Sequence, residues 1–277
     1  MIRSSKPASP RFEFGENWRA FLGGVDEAGI DQAVVSLRQL LKLDSLSGQT
    51  FLDIGCGSGL FSLAAVRLGA EVVSIDYDRQ CVACAAELKR RFAPRAGGNW
   101  QIQPGDVLDR EAMATLGRFD VVYSWGVLHH TGNMWRAIEH AADRVAPGGR
   151  LAIAIYNDQG GGSRRWLTIK NIYHRLPMML RPVWVTIVAG MYEMKFAAAR
   201  LAGGRNPLPF ADWRSKRNDR GMNVWRDWVD WVGGLPFEVA SPESIILPRI
   251  ERDFRLVNLS TVGSGWGCNQ YVFVRNP

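Results

Sequence analysis

The stretch Phe51-Leu-Asp-Ile-Gly-Cys-Gly-Ser-Gly-Leu60 constrains this chain more than any other. A short apolar run ends in Asp53, and Gly55, Gly57 and Gly59 follow at alternate positions. From Leu60 to Gly69 the apolar residues then fall at helical spacing. The pattern predicts a buried strand, a tight glycine turn and a helix whose N-terminus points at a ligand. One glycine permits the turn, and the others let ligand atoms approach backbone N–H groups with no Cβ in the way.

The segments that follow repeat the strand–helix alternation. Strands are expected at Phe51–Ile54, Glu71–Asp76, Trp100–Gln103, Phe119–Ser124 and Arg150–Tyr156. Helices are expected at Gly59–Leu68, Arg79–Phe92 and Asn133–Val145, with Ala146–Gly149 as a turn before the fifth strand. Buried, Val/Ile-rich strands alternating with helices require a parallel sheet covered on both faces. In such sheets ligands sit beyond the carboxyl ends of the strands, near the switch in strand order.

On either side of this block the rhythm differs. Residues 1–11 read as a disordered arm, Phe12–Leu22 interleaves aromatic and polar groups, and Asp31–Leu43 is an amphipathic helix with Val34, Leu37, Leu40 and Leu41 on one face. Helical packing against the core accounts for most of this region; the functional alternative is that residues 1–48 form an arm and helix covering the ligand, with Asn17 and Trp18 folded over it. Residues 157–236 are too long for a loop and read as an inserted helical subdomain. It contains helical stretches at Trp166–Leu176 and Pro182–Leu201, and Trp225, Trp228 and Trp231 at the spacing of a packed helix face. Residues 237–277 return to the pattern of 49–156. Ser241 and Pro242 start a helix, which Pro248 kinks or shortens. Leu256–Val262 and Asn269–Arg275 are strands joined by a turn short enough to make them antiparallel.

At 277 residues and 47% hydrophobic content, the chain can bury one sizeable core with an elaboration. Of its four cysteines, Cys81 and Cys84 lie close together inside an alanine-rich helical run, with no second pair to complete a metal site. Reduced thiols, the lack of an apolar signal segment near Met1 and an apolar run at Pro182–Tyr192 about half of the ~20 residues that span a bilayer point to a soluble, cytoplasmic protein. The formal charge of +7 is concentrated: Gly160 to Asp230 holds 13 Lys/Arg against 5 Asp/Glu, an excess of +8. Such a patch suits a nucleic acid, an acidic small molecule or an anionic membrane surface, or is simply a solvated face.

Taken together, the motifs resemble those of the class I S-adenosylmethionine-dependent methyltransferases. Leu52–Gly59 is similar to the family's first motif, Asp76 to its second, Gly105-Asp106-Val107 to the adenine-side loop and Pro147-Gly-Gly149 to the turn before strand five. Phe119–His130 resembles in particular the branch of ubiquinone-type O-methyltransferases. The resemblance implies a doubly wound, mostly parallel seven-stranded sheet with an antiparallel last strand. It also implies S-adenosylmethionine as donor and S-adenosylhomocysteine as product. Asp76, 21 residues beyond Gly55, is placed to accept both ribose hydroxyls. Asp106 would accept the adenine amino group, the Val107 N–H would donate to the ring, and Tyr77 would stack on it. Asp53 would orient the methionyl ammonium, with the backbone of Gly55, Cys56 and Gly57 against the methionyl moiety and Ser124 carbonyls near the ammonium.

A nicotinamide dehydrogenase would also use Asp76, but its fingerprint needs the third glycine one residue later than Gly59. Asp53 beside the turn would repel a pyrophosphate and suits a cation. Methyl transfer from a sulfonium asks mainly for alignment and, with a hydroxyl or ammonium acceptor, removal of a proton. His129 and His130, just beyond strand four, are the candidate bases, weighed against simple packing roles. The acceptor pocket is expected from Trp125, Tyr156, Asn157, Trp266 and Asn269 at the carboxyl edge. Arg164 and Arg165 of the inserted cap would recognise an anionic small-molecule acceptor, methylated at O or N. The alternatives are an RNA or protein methyltransferase using the basic cap, although no appended RNA-binding motif is visible, and a non-catalytic S-adenosylmethionine-binding protein.

Overall fold

The computed structural model describes residues 25–93, 99–209, 224–263 and 265–277, and of Val224 and Arg226 the backbone alone. The expected arm, Phe12–Leu22, Asn17 and Trp18 lie outside these residues.

One compact unit runs to Gln159 and resumes at Pro236; the other covers Gly160–Leu235. The first is built on a seven-stranded sheet: β1 (Thr50–Ile54), β2 (Glu71–Asp76), β3 (Trp100–Pro104), β4 (Phe119–Trp125), β5 (Val145–Tyr156), β6 (Phe254–Ser260) and β7 (Cys268–Arg275). Their order is β3-β2-β1-β4-β5-β7-β6. Every pairing is parallel except those of β7, which runs antiparallel to both β5 and β6. The expected sheet is therefore present, and β6 points the same way as β1–β5. The β6–β7 turn consequently opens on the carboxyl edge, where Tyr156 pairs with Cys268.

Alternation along the strands builds two cores. Phe51, Val121, Tyr123, Ala152 and Val272 face helices α1 (Glu27–Leu41), α2 (Leu60–Arg67) and α3 (Arg79–Phe92). Leu52, Ile54, Val122, Leu151, Ile153 and Phe273 face the opposite side. There they meet α5 (Met134–Asp143), with Ile138 and Ala141, and α9 (Pro242–Ile250), with Ile245. The side-chain period of two puts the central strands into both cores, so they read as near-continuous apolar runs.

Three local readings change. A short helix α4 (Arg110–Thr115), with Asp109 accepting from the Glu111 and Ala112 N–H groups, had no clear apolar period in the sequence. Strand five begins at Val145, and Ala146–Gly149 forms a bulge within it rather than a preceding turn. Helix α9 runs through Pro248 and ends two residues later, so the proline shortens the helix.

The second unit contains α6 (Gly161–Arg175), α7 (Arg181–Ala202) and α8 (Val224–Gly233). Trp166 stacks on Tyr192 with centroids 5.0 Å apart and also meets Trp231. Of the tryptophan stripe, Trp228 is buried and Trp225 exposed. Lys170 is enclosed, and its Nζ donates to the Trp231 carbonyl at 2.5 Å. Burial pushes its ammonium down to about 7.

Candidate active site

The first four strands bring a ring of carboxylates and glycines to the carboxyl edge. After β1 the chain turns through Gly55, Gly57 and Gly59, all with positive φ (76°, 55° and 82°). The turn is tied to the end of β2. The Gly55 and Cys56 N–H groups donate to the Ile75 carbonyl at 2.8 and 3.1 Å, and Gly57 N–H donates to Asp76 Oδ2 at 2.9 Å. The other carboxylate oxygen of Asp76 accepts from Asp78 N–H at 2.9 Å.

The positive φ values bear out the expected tight turn, and at Gly55 and Gly59 neighbouring protein atoms add a second requirement. A Cβ on Gly55 would lie 2.4 Å from Val127 Cγ1, and one on Gly59 would lie 2.9 Å from Ala85 Cβ. Protein side chains already fill these positions. Glycine is required at both because the post-β4 loop and α3 press against the turn, in addition to the left-handed backbone.

Asp53 is buried, and Ser62 Oγ donates to its Oδ2 at 2.5 Å. Ser74 Oγ donates to Ser62 Oγ at 2.8 Å, and Trp100 Nε1 donates to Ser74 Oγ at 2.7 Å. A four-residue relay thus crosses β1, α2, β2 and β3. Burial raises the Asp53 carboxyl to about 7, opposed by the Ser62 bond and reinforced by Asp76. Desolvation also raises Asp76, and it pushes the Cys56 thiol well up. Ser62, Ser74 and Trp100 were missed in the sequence. The usable signal was register, because Ser74 is the direct partner of Asp53 once β1 and β2 are paired.

Asp106 follows β3, one strand beyond Asp76. Its Oδ1 accepts from Leu108 N–H at 2.9 Å, and the Gly105 N–H donates to the Asp76 carbonyl at 2.9 Å, locking the two acidic turns together. Val107 is buried, and its carbonyl is held by His140 Nδ1 at 2.7 Å. Tyr77, directly after Asp76, is 62% exposed.

Beyond β4 and β5 several expected roles change. Ser124 is enclosed, and its Oγ donates to the Ile54 carbonyl at 2.8 Å, so its side chain ties β4 to β1. His129 is fully enclosed, with its Nδ1 accepting from Tyr156 N–H at 3.3 Å and its ring 3.9 Å from that of Tyr156. This burial gives His129 a packing position beneath Tyr156, away from solvent. His130 is only half-buried, and its Nδ1 lies 2.7 Å from the Pro236 carbonyl. A carbonyl requires a donor there, so neutral His130 carries its basic lone pair on Nε2.

Asn269 is likewise enclosed; its Oδ1 accepts from Val262 N–H at 3.0 Å and its Nδ2 donates to Asn157 Oδ1 at 3.0 Å. Asn157 Nδ2 in turn donates to the Gly263 carbonyl at 2.8 Å. The two amides clamp the β6–β7 turn. Trp125, Tyr156 and Trp266 remain at the carboxyl edge, with Trp125 39% exposed and the other two partly so. Arg164 and Arg165 are exposed residues in the first turns of α6, within the other unit.

A strap not foreseen in the sequence crosses this edge. The segment after Leu235 places the Pro236 carbonyl on His130, donates Glu238 N–H to the His129 carbonyl at 3.0 Å and sets Glu238 Oε2 on Met134 N–H at 2.9 Å. Ala240 N–H donates to the Tyr156 carbonyl at 3.0 Å, and Asp158 N–H donates to the Ala240 carbonyl at 3.1 Å.

The donor set suits a cation. Asp53, Asp76 and Asp106 end three adjacent strands, and the turns Gly55–Gly59, Asp76–Asp78 and Gly105–Leu108 contain no Lys or Arg. A polyphosphate would meet repulsion here; a sulfonium with an ammonium and hydroxyls would meet acceptors. Residues 52–151 match a family described as a methyltransferase domain. Residues 52–151 therefore form a methyltransferase domain.

This methyltransferase domain is 32% identical over 143 residues to the tRNA U34 carboxymethyltransferase of Klebsiella pneumoniae, covering 49% of this chain and 41% of that one. It is 29% identical over 123 residues to a ubiquinone biosynthesis O-methyltransferase of Coxiella burnetii, covering 44% and 50%. The chain spans about half the length of these curated relatives, or less. The methyltransferase fold extends further than these alignments. A magnesium protoporphyrin IX methyltransferase from Synechocystis PCC 6803, solved with bound SAH, superposes with a TM-score of 0.54 at 18% identity over 94% of both chains.

Proposed function

We propose that this protein transfers a methyl group from S-adenosylmethionine to a small, anionic acceptor held at the carboxyl edge of the sheet. The reading rests on one observation: the glycine turn is hydrogen-bonded to Asp76 and flanked by Asp53 and Asp106, with no basic residue among these turns. S-adenosylmethionine brings an already activated methyl on a sulfonium. Asp76 accepts from the ribose hydroxyls through the lone pairs that Gly57 and Asp78 leave open, and Asp106 and Val107 read the adenine with Tyr77 against its face. Asp53, held by Ser62, would orient the ammonium, with the backbone of Gly55, Cys56 and Gly57 against the methionyl moiety.

On the acceptor side, Trp125, Tyr156 and Trp266 supply aromatic walls. His130 Nε2 takes the proton from a hydroxyl or ammonium acceptor, while the Pro236 carbonyl keeps the ring in that tautomer. The test has two parts. Calorimetry should detect S-adenosylhomocysteine binding that Asp76→Ala weakens at least tenfold. A screen of carboxylate-bearing alcohols and amines should then yield a product heavier by one CH2. No binding of either S-adenosyl compound would overturn the reading.

A second reading, an RNA acceptor, is favoured by the basic excess of residues 160–230 and the likeness to a tRNA-modifying enzyme. It requires RNA binding that falls steeply with salt. Salt-insensitive or absent binding would exclude it.

A further inference from the structure

Helix α7 is apolar on two faces, and only one of them is covered among the described residues. Val185, Val188 and Tyr192 are buried in their own unit. On the other face Val183, Ile187, Met191 and Met194 form a continuous stripe at helical spacing, 55%, 55%, 51% and 69% exposed. The turn leading into the helix adds Met178 and Met179, 80% and 88% exposed, as an apolar tip. A helix with apolar residues all round is ordinarily enclosed, and a contiguous exposed patch of this kind marks a docking surface.

Charge selects the occupant. From Leu176 to Leu208 the chain carries Arg181, Lys195, Arg200 and Arg205 against a single acid, Glu193, and that acid lies 3.9 Å from Arg200. The surrounding region has its excess of +8. A second copy would bring the same net positive charge toward this one and be disfavoured. An anionic surface that also accepts apolar side chains satisfies both features. No helix among the described residues is long and apolar enough to cross a membrane, so the helix would lie along a bilayer.

We propose that α7 and the Met178–Leu180 turn form a peripheral docking surface for an anionic lipid bilayer, with the methionines among the acyl chains and the basic residues at the headgroups. The proposal is independent of methyl transfer and is tested without it. The purified full-length chain is sedimented with vesicles of phosphatidylcholine alone and of phosphatidylcholine mixed with phosphatidylglycerol. Binding to the mixed vesicles should exceed binding to the neutral ones and weaken with salt. The double variant Ile187→Asp, Met191→Asp changes exposed positions and should keep the wild-type melting temperature, yet lose about tenfold or more in vesicle partition. The proposal fails if the wild-type chain does not bind phosphatidylglycerol vesicles at low salt or if the folded double variant binds as well. It also fails if light scattering shows a dimer that the variant splits without changing vesicle binding.

Discussion

Ser62 donates to Asp53 across 2.5 Å inside the protein, and the same serine accepts from Ser74. The bond opposes ionisation cost where burial would otherwise keep the carboxyl neutral, holding it near 7 rather than higher. A carboxyl poised there responds to whatever cation is brought beside it.

This predicts a pH-dependent stability. Because the folded-state value lies above the unfolded one, the favourable contribution of protonated Asp53 is complete below about pH 4. It is lost as pH rises through about 7. Asp53→Asn, which keeps the Ser62 bond and removes the charge, should stabilise the ligand-free protein at pH 8 by on the order of 2–4 kcal/mol. The gain should shrink toward zero in acid, as followed by denaturant melts across pH. The same variant should lose affinity for S-adenosylhomocysteine.

Gly55→Ala should cost about 2–5 kcal/mol, from a left-handed backbone and from the Val127 contact together. Adding Val127→Ala should recover the steric part and leave the backbone part. Thermal unfolding of the single and double variants would separate them; no recovery would show that Val127 is not what the glycine accommodates.

The amide clamp predicts coupling without an acceptor role. Asn157→Ala and Asn269→Ala should each lower stability by about 1–3 kcal/mol, and the double variant by clearly less than the sum. Additive losses would mean that the two amides act separately. Once an acceptor is in hand, its KM should rise no more than the loss of folded protein explains.

The two histidines should part company. His130→Ala should lower kcat by about 10²-fold or more with S-adenosylhomocysteine affinity unchanged. His129→Ala should instead cost about 2–4 kcal/mol of stability, read from the melting transition. The reverse pattern would move the base to His129.

The strand–turn–helix units at the carboxyl edge were legible because their requirements are local. Strand β2 and the helix after it were bounded correctly from their apolar periods, and the acidic turns were visible as Asp76 and Asp106. Hidden in the sequence were the consequences of pairing. Ser74 reaches the Asp53 relay only because register sets it beside that residue, and Asn269 meets Asn157 only because β7 runs back along β5. Exposure was equally illegible: His129 and His130 are neighbours, and a single step along the 3-10 turn after β4 separates an enclosed ring from a half-open one.

The strap at Ala240 has an evolutionary meaning. Its two hydrogen bonds to Tyr156 and Asp158 staple together the strands of chain that flank Gly160–Leu235. What lies between is a detour whose length matters little to the clasp, since closure entropy grows only with the logarithm of loop length. A lineage can therefore lengthen, trim or exchange that detour as a cassette while the sheet and its donor turns stay intact. Replacing it with a short glycine-rich link should leave a domain that folds and still binds S-adenosylhomocysteine.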